Sequence, residues 1–461
     1  MATASAAFID GLARRLGSAQ VSTDPGDLQT YGRDWARIFL PAPSALVRPR
    51  TTEEVSEVLR ECHRAGVSVV PSGGRTGLAG GAVAARGEVV LSLERMRQLG
   101  PVDTVGRTLV VEAGAVLEAV HTHAAEQGLT WPVDLAARGS CQIGGNIATN
   151  AGGLRVIRYG NTRQWVLGLT AVLADGTVLD MNRCLEKDNT GTDLRQLFIG
   201  SEGTLGVVTR ATLKLCALPP EQQVMLFSVG SLGDVLAFFA EARRGPFVIS
   251  AFECFSQACL EHVMREQKIG APLGVEREFY VLLEVEGDQE RLCDWLETML
   301  ERSLVADGTM AQDSQQARQL WSYREGITES LAQRFPHKND VALPVHALAA
   351  FYADLQVLLG QRYQGWEACV FGHIGDGNLH VNLLKPSAMS VQDFVAHTSS
   401  ADEALFALVQ RHGGSISAEH GIGLLKKAYL KYSRSEQEIA ALRAVKTALD
   451  PRDILNPGKI F

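Results

Sequence analysis

A glycine-rich stretch near residue 75 carries most of the information about the fold, and it reads Pro71-Ser72-Gly73-Gly74-Arg75-Thr76-Gly77-Leu78-Ala79-Gly80-Gly81. Closely spaced glycines let backbone N–H groups approach phosphate oxygens without obstruction from side chains. A second glycine cluster covers residues 144–153, and a third stretch of this kind covers residues 199–206. One such cluster is equally well explained as a tight turn, but the set favours a site for a large phosphate-bearing cofactor.

The surroundings of the first cluster predict a strand–helix–strand unit that ends in the glycine-rich loop. Residues 45–49 and 67–71 are strand-like, and residues 51–66 between them have helical spacing, with Thr51 and Gly66 as caps. Neither cluster matches Gly-x-Gly-x-x-Gly before a helix or contains Gly-Lys-Ser/Thr. A Rossmann nicotinamide site and a P-loop are therefore disfavoured.

Composition places the chain among globular proteins with two or three domains, because 461 residues exceed one ordinary core. The net charge of −8 argues against nucleic acid or an anionic membrane surface as the main partner. No apolar run reaches the ~18–20 residues that span a bilayer. Residues 1–17 are interpreted as a first helix, with a short mitochondrial transit peptide as the weaker alternative. The eight scattered cysteines form no Cys-x-x-Cys pair, which disfavours an iron–sulfur cluster or zinc ribbon.

Two histidine-bearing segments, residues 372–382 and 418–423, suggest the chemistry. The turn signal Asp376-Gly377 predicts a hairpin that brings His373 and His380 together from opposite strands. Two imidazoles with the carboxylate of Glu419 suit zinc or manganese and leave positions open for substrate. The alternatives are that these histidines are hydrogen-bonded core residues, or that they belong to a zinc hydrolase without flavin.

A carboxylate-recognising set is predicted further upstream. Arg324 and Thr328 are four residues apart, so we expect them on one helix face, and Lys338 follows. Arginine can bind a carboxylate through two parallel hydrogen bonds. On spacing alone, an ordinary solvated helix face with surface charges is the favoured explanation.

The glycine clusters, in this order, resemble the FAD-binding domain of the vanillyl-alcohol oxidase superfamily. The two histidine segments and the tail Asn456-Pro457-Gly458-Lys459 resemble its D-2-hydroxyacid dehydrogenase branch. The resemblance implies an α+β fold, in which residues 1–218 form the FAD domain and residues 219–415 form an inserted α+β substrate domain. Residues 416–461 would return to complete the FAD domain and the active site.

The resemblance also implies noncovalent FAD and assigns the site residues. A divalent metal, zinc first and manganese second, would be held by His373, His380 and Glu419, with His420 as the catalytic base. Substrate would contact Arg324, Thr328, Lys338, Asn382 and His420. The expected cofactor-binding residues are Pro71, Ser72, Gly73, Gly74, Arg75, Thr76, Gly77, Pro132, Asp134, Ser140, Gly144, Gly145, Asn146, Thr149, Asn150, Gly152, Gly153, Gly206, Val207 and Asn456.

The pattern Arg-Glu-x-Ile-Thr-Glu at residues 324–329 is similar to the D-2-hydroxyglutarate dehydrogenases of this branch. The resemblance therefore implies oxidation of D-2-hydroxyglutarate to 2-oxoglutarate, with D-lactate or glycolate dehydrogenase as the alternative. A redox-silent flavin-binding subunit is the third hypothesis. The expected electron acceptor is electron-transferring flavoprotein or a quinone-type compound, the expected location is the cytoplasm (the mitochondrial matrix in a eukaryote), and a homodimer is left open.

Overall fold

The computed structural model describes residues 3–461 and divides into two compact units. The first unit comprises the described residues up to Gly153 together with Tyr159–Leu218 and Glu419–Phe461, and the second comprises Leu154–Arg158 and Pro219–Ala418. Helices and strands are mixed in both units, so the expected α+β class is confirmed.

The helices are α1 (Ala6–Leu16), α2 (Pro25–Tyr31), α3 (Thr52–Ala65), α4 (Leu117–Ala125), α5 (Ile143–Ala148), α6 (Val156–Tyr159), α7 (Arg195–Phe198), α8 (Leu232–Ala242), α9 (Gln257–Gln267), α10 (Gln289–Glu301), α11 (Ser314–Glu325), α12 (Ile327–Ala332), α13 (Leu348–Arg362), α14 (Val391–Arg411) and α15 (Glu436–Leu449). The strands are β1 (Val21–Ser22), β2 (Ala45–Val47), β3 (Val69–Ser72), β4 (Val89–Ser92), β5 (Leu99–Asp103), β6 (Thr108–Glu112), β7 (Leu129–Thr130), β8 (Val166–Val172), β9 (Val178–Asp180), β10 (Val207–Lys214), β11 (Cys216–Ala217), β12 (Gln223–Val229), β13 (Val248–Ser256), β14 (Phe279–Glu286), β15 (Asp307–Met310), β16 (His337–Ala342), β17 (Ala368–His373) and β18 (Asn378–Leu383).

The predicted strand–helix–strand unit is present as β2, α3 and β3. The Thr51 hydroxyl accepts a hydrogen bond from the Glu54 N–H at the start of α3, and Gly66 ends the helix in the left-handed conformation with φ 67°. Strands β2 and β3 both pair in parallel with β4, and β1 completes a sheet in the order β1-β2-β4-β3. The glycine-rich loop leaves the end of β3.

A second sheet of the first unit has the order β5-β6-β10-β8-β9, and every neighbouring pair is antiparallel. The apolar residues of β6, β8 and β10 pack with those of α3, α4 and α5 into one core. Burial of this apolar surface is the main contribution to the stability of the unit.

The C-terminal segment is part of the first unit. The Asn456 side-chain amide donates to the carbonyl oxygens of Gly81 (2.8 Å) and Glu202 (2.7 Å). The buried Lys459 ammonium donates to the Val83 carbonyl at 2.7 Å. Residues far apart in sequence therefore hold the glycine-rich loop in place.

The second unit is built on a sheet of order β15-β12-β14-β13-β17-β18-β16, in which every neighbouring pair is antiparallel. Successive side chains of a strand point to opposite faces, so the two faces can be followed along β13. Phe252 packs against Phe238 and Phe239 of α8. Its neighbour Glu253 faces the other side, where α9, α11 and α12 contribute to the core.

None of the helices in the described part of the chain is both long and apolar enough to cross a bilayer.

Candidate active site

The glycine-rich loops of the first unit surround a cavity of about 320 Å³, which is within the size range of small-molecule sites. Fourteen of the expected cofactor residues line it: Pro71, Ser72, Gly73, Gly74, Arg75, Thr76, Gly77, Gly144, Gly145, Asn146, Thr149, Gly152, Gly206 and Val207. Sixteen of the residues that line it are glycine or alanine, so large side chains do not obstruct the backbone N–H groups there.

Glycine is required where two loops meet. A Cβ at Gly74 would lie 2.2 Å from the Ser140 carbonyl oxygen, and one at Gly144 would lie 2.7 Å from the Ala113 Cβ. Gly77 has open space around it. Only some of these glycines are therefore fixed by packing.

Arg75 is the arginine of the first glycine cluster. It adopts a left-handed conformation with φ 57°, which is uncommon for a residue with a side chain. Its guanidinium lies 4.1 Å from the centre of the Tyr31 ring, and its Nη1 donates to the Gly73 carbonyl. The side chain thus stabilises the loop.

The remaining six expected cofactor residues, Pro132, Asp134, Ser140, Asn150, Gly153 and Asn456, are outside the cavity lining. Several of them instead support the loops. The Asn150 side chain accepts from the Arg163 N–H at 3.0 Å, and Asp134 pairs with Arg138 at 2.9 Å. A contact with bound cofactor stays a prediction for all six.

Glu419 and His420 both line the same cavity. The segment that carries them is fixed by Glu202, whose carboxylate accepts from the N–H groups of Ile422 (2.7 Å) and Gly423 (2.8 Å). Burial raises the pKa of Glu202, and these two hydrogen bonds act in the opposite direction. Glu202 itself lines the cavity, and it lies in the third glycine stretch, which was the signal that could have identified it.

In the second unit, the predicted hairpin forms from β17 and β18. The turn consists of a short 3-10 segment, Ile374–Asp376, and Gly377 with φ 84°. A Cβ at Gly377 would lie 2.1 Å from the Leu343 carbonyl oxygen, so the position requires glycine. The ring centres of His373 and His380 are 5.6 Å apart, with the rings nearly perpendicular.

One face of this sheet gathers the polar residues, and we call it the histidine face. Residues directly opposite each other on paired strands share a face. The register places Glu253 opposite His373, Asp340 opposite His380 and Lys338 opposite Asn382. Because His380 and Asn382 are two residues apart, they share this face as well. The histidine face therefore consists of Glu253, Lys338, Asp340, Phe371, His373, His380 and Asn382.

Two buried carboxylates face the two histidines. His373 Nδ1 lies 2.7 and 2.8 Å from the two oxygens of Glu253, and His380 Nδ1 lies 3.7 Å from Asp340 Oδ1. Although burial raises it, the neighbouring His373 and Arg324 hold the pKa of Glu253 below its ordinary value. Asp340 also accepts from the Ala418 N–H at 3.1 Å, which fixes the backbone directly before Glu419.

The expectation that Arg324 and Thr328 share a helix face is wrong. The helix is interrupted at Gly326, so Arg324 lies in the last turn of α11 and Thr328 lies in the first turn of α12. A Cβ at Gly326 would lie 2.0 Å from Gln267 Nε2, which shows how closely α9 packs there. Arg324 is buried, whereas Thr328 is exposed.

Arg324 nevertheless reaches the histidine face. Its Nε lies 2.8 Å from Glu253 Oε2, and its guanidinium carbon lies 5.0 Å from the centre of the Phe371 ring. Lys338 is half-buried on the same face, and burial lowers the pKa of its ammonium. The second unit thus places two cationic side chains on the side of the sheet that carries both histidines.

Sequence reasoning missed Glu253 and Asp340. A local signal for Glu253 exists, because it is an acidic residue in the middle of the otherwise apolar run 251–255. An isolated carboxylate buried in an apolar strand needs a partner. The identity of that partner depended on pairing between β13 and β17, which are distant in the sequence.

Comparison with known proteins agrees with this architecture. The family model described as "FAD linked oxidases, C-terminal domain" matches residues 218–460, and the one described as "FAD binding domain" matches residues 43–182. D-2-hydroxyglutarate dehydrogenase of Xanthomonas citri pv. viticola is 51% identical over 446 residues, which are 96% of this chain and 94% of that protein. The protein of that name from Stutzerimonas stutzeri is 43% identical over 459 residues, 99% of each chain.

Among solved structures, 4-ethylphenol oxidase from Gulosibacter chungangensis, in its isoeugenol complex, has a TM-score of 0.75. It is 19% identical, and the match covers 99% of this chain and 96% of that one. At this level of identity the likeness concerns the fold alone.

Proposed function

We propose, from the premise that this chain belongs to the FAD-linked oxidases and among them to the FAD-dependent D-2-hydroxyacid dehydrogenases, that it oxidises D-2-hydroxyglutarate to 2-oxoglutarate. The observation that carries the choice of substrate is the histidine face, where the cation Lys338 lies opposite Asn382 and two residues from Asp340. Such a cation would bind the second carboxylate of a dicarboxylate substrate. The names of the two bacterial relatives give independent support.

FAD would occupy the cavity of the first unit without a covalent bond. Some flavoproteins of the superfamily attach FAD through histidine. Among the described residues that line this cavity, His420 is the one histidine. The proposed reaction uses it as the proton acceptor, and not as a point of covalent attachment. Bound FAD supplies the acceptor for the hydride that leaves the α-carbon of the substrate.

A divalent metal would be held by His373, His380 and Glu419, with zinc preferred over manganese. The donor set fits such an ion, because two imidazoles and a carboxylate are common zinc ligands. With Nδ1 of His373 turned to Glu253, Nε2 is the nitrogen that can act as a ligand. The hydrogen bond from Ala418 to Asp340 supports the inclusion of Glu419. The metal supplies Lewis-acid chemistry that lowers the pKa of the substrate hydroxyl.

His420 would accept the proton of the substrate hydroxyl while hydride leaves the adjacent carbon. Its location in the cavity lining supports this role, because a base must come within hydrogen-bond reach of its proton. The base and the hydride acceptor would then share one cavity.

Lys338, Asn382 and Arg324 would bind the substrate carboxylates, and Thr328 would contribute a hydroxyl. Arg324 has five N–H donors, and Nε is the donor nearest to Glu253. In this proposal Lys338 contributes more to the binding of the substrate carboxylate than Arg324 does, because Glu253 partly compensates the charge of Arg324. Electron-transferring flavoprotein or a quinone-type compound would reoxidise the flavin.

The proposal is tested by mixing the purified holoenzyme anaerobically with D-2-hydroxyglutarate and recording the visible flavin band. We expect bleaching that disappears after treatment with a chelator and returns with added zinc. Bleaching with D-lactate or glycolate but not with D-2-hydroxyglutarate would replace the dicarboxylate by a monocarboxylate substrate. A colourless protein with hydrolase activity would contradict the proposal as a whole.

A further inference from the structure

Glu253 is a buried carboxylate of the histidine face that contacts both a histidine and an arginine. Its side chain is 1% exposed, and the partners come from different elements, His373 from β17 and Arg324 from α11. Its two oxygens are both within 2.8 Å of His373 Nδ1, and Oε2 is also 2.8 Å from Arg324 Nε. One side chain thus connects a predicted metal ligand to a predicted substrate ligand.

The chemistry of the pair fixes the proton of the imidazole. An ionised carboxylate can only accept hydrogen bonds, so His373 Nδ1 must carry the hydrogen that faces it. Nε2 then keeps the lone pair for a metal. Partners of this kind orient metal-binding histidines, and their loss typically costs 10- to 100-fold in metal affinity.

The second contact sets the charge balance. Arg324 is buried, and a buried guanidinium without a nearby anion is strongly unfavourable. Glu253 is the carboxylate beside it, and Phe371 covers one face of the guanidinium. The position of Arg324 therefore depends on the carboxylate that also orients His373.

We propose that Glu253 is a positioning residue that couples metal binding to substrate binding, by holding the His373 imidazole and the Arg324 guanidinium in one fixed arrangement. This inference rests on the proposed function, because it takes His373 as a metal ligand. Removal of the Glu253 charge weakens zinc binding and raises KM for the substrate together. The His380–Asp340 pair, with its longer distance of 3.7 Å, has the smaller effect on zinc affinity.

Glu284 provides a matched control in the same sheet. It is also buried, on β14, and its carboxylate binds Arg155 through two contacts of 2.8 and 3.0 Å and accepts from Trp321 Nε1 at 3.1 Å. Within the described part of the chain, none of its hydrogen bonds involves a histidine. Glu253→Gln and Glu284→Gln each remove one buried negative charge beside an arginine, so a purely structural role predicts similar effects for both.

The experiment measures zinc affinity of the metal-stripped proteins by competition with a chromogenic chelator, next to thermal unfolding of each protein. We expect Glu253→Gln to lose about 10- to 100-fold in zinc affinity, while Glu284→Gln stays within about twofold of the original protein at a comparable loss of Tm. In a His373→Ala background, Glu253→Gln should cause no further loss, because its effect passes through that imidazole.

Unchanged zinc affinity in Glu253→Gln, or an equal loss in Glu284→Gln, would overturn the positioning role and leave the proposed function intact. An original protein that binds neither zinc nor manganese would overturn both. Steady-state kinetics of the zinc-loaded holoenzyme adds a second readout: a rise in KM for D-2-hydroxyglutarate must accompany the loss of zinc affinity, and a loss of zinc affinity with unchanged KM would overturn the coupling.

Discussion

The cofactor cavity of the first unit and the histidine face of the second unit are built by different parts of the chain. Glycine and alanine make up about half of the residues that line the cavity, and its glycines come from short stretches of sequence. The histidine face consists of side chains from four strands, where Glu253 and Asp340 are buried beside His373 and His380 and Lys338 is half-buried. A large cofactor is recognised by shape and N–H groups, whereas a reacting centre requires individual charges in fixed positions.

The largest effect is expected from the reacting centre. We expect His420→Ala to lower kcat by about 10²- to 10⁴-fold, because a positioned base contributes that much to proton transfer. FAD content, measured from the visible spectrum, should stay near that of the original protein. His121→Ala is the control, since His121 is a half-buried histidine of the same unit that contacts the Val133 carbonyl. Equal kcat in both variants would contradict the assignment of His420.

Gly74 and Gly77 belong to the same glycine cluster but differ in how closely they are packed. Gly74→Ala places a Cβ against the Ser140 carbonyl oxygen, so the two loops must separate, at a cost of about 1–3 kcal/mol. We expect the purified variant to lose most of its FAD. Gly77→Ala belongs to the same cluster but has open space, and it should keep its FAD. Loss of flavin from both variants would mean that glycine flexibility, rather than close packing, is required.

A buried charge of the first unit, Lys459, tests whether the interior of that unit tolerates an ionised group as the histidine face does. Burial lowers the pKa of Lys459 from 10.5 to about 8. The unfolded chain therefore binds this proton more tightly than the folded chain does. The free energy of unfolding increases as pH rises from 8 to 10.5, and this increase is lost as pH falls through 8.

We expect Lys459→Met to change that pH dependence by at most about 3 kcal/mol, since one pKa unit corresponds to 1.36 kcal/mol. Denaturant unfolding of both proteins at pH 7.5, 9 and 10.5 measures the difference. The original protein should gain stability relative to the variant as pH rises. A difference between the two proteins that is constant over this range would contradict the assigned pKa direction.

The smallest effect concerns substrate choice. We expect Lys338→Ala to raise KM for D-2-hydroxyglutarate by about 10- to 100-fold, in line with 1.5–3 kcal/mol for a hydrogen bond to a charged group. KM for D-lactate should change less, because that substrate has no second carboxylate. The control is Lys385→Ala, a half-buried lysine of the second unit that donates to the Pro386 and Met389 carbonyls. Equal losses on both substrates would contradict the dicarboxylate assignment.

A second consequence of the partial burial of Lys338 is a pH dependence of substrate binding. Because its pKa is lowered, the positive charge is lost at a lower pH than in an exposed lysine. KM for the dicarboxylate should therefore rise on the alkaline side, and Lys338→Arg, which stays charged, should move this rise to higher pH.

The strand–helix–strand unit, the glycine loops and the hairpin were predictable because their signals are local. Thr51, Gly66 and Gly377 each determine a cap or a turn within a few residues. The helix break at Gly326 was not predicted, since a single glycine inside a helical pattern is often tolerated. The Gln267 side chain of α9 lies where a Cβ of residue 326 would be, and this tertiary contact has no local signal in the sequence.

The two residues of the candidate site that sequence reasoning missed, Glu253 and Asp340, depend on the order of the strands in the sheet. Glu253 and His373 are 120 residues apart, and they meet because β13 pairs with β17. Periodicity can place a residue on a face of its own strand, but it does not specify which strand is the neighbour. The positions of Glu419 and His420 in the cavity lining likewise depend on Glu202, 220 residues from Ile422.

The ties between the glycine-rich loop and the C-terminal segment have a consequence for the order of events during biosynthesis. Gly81 is held by Asn456, which the ribosome adds 375 residues later. The second unit, mostly the continuous stretch Pro219–Ala418, can form on the nascent chain, whereas the first unit must wait for its final strand-bridging residues. FAD capture should therefore follow translation, and a ribosome stalled before residue 456 should display a protein that is folded in part and colourless.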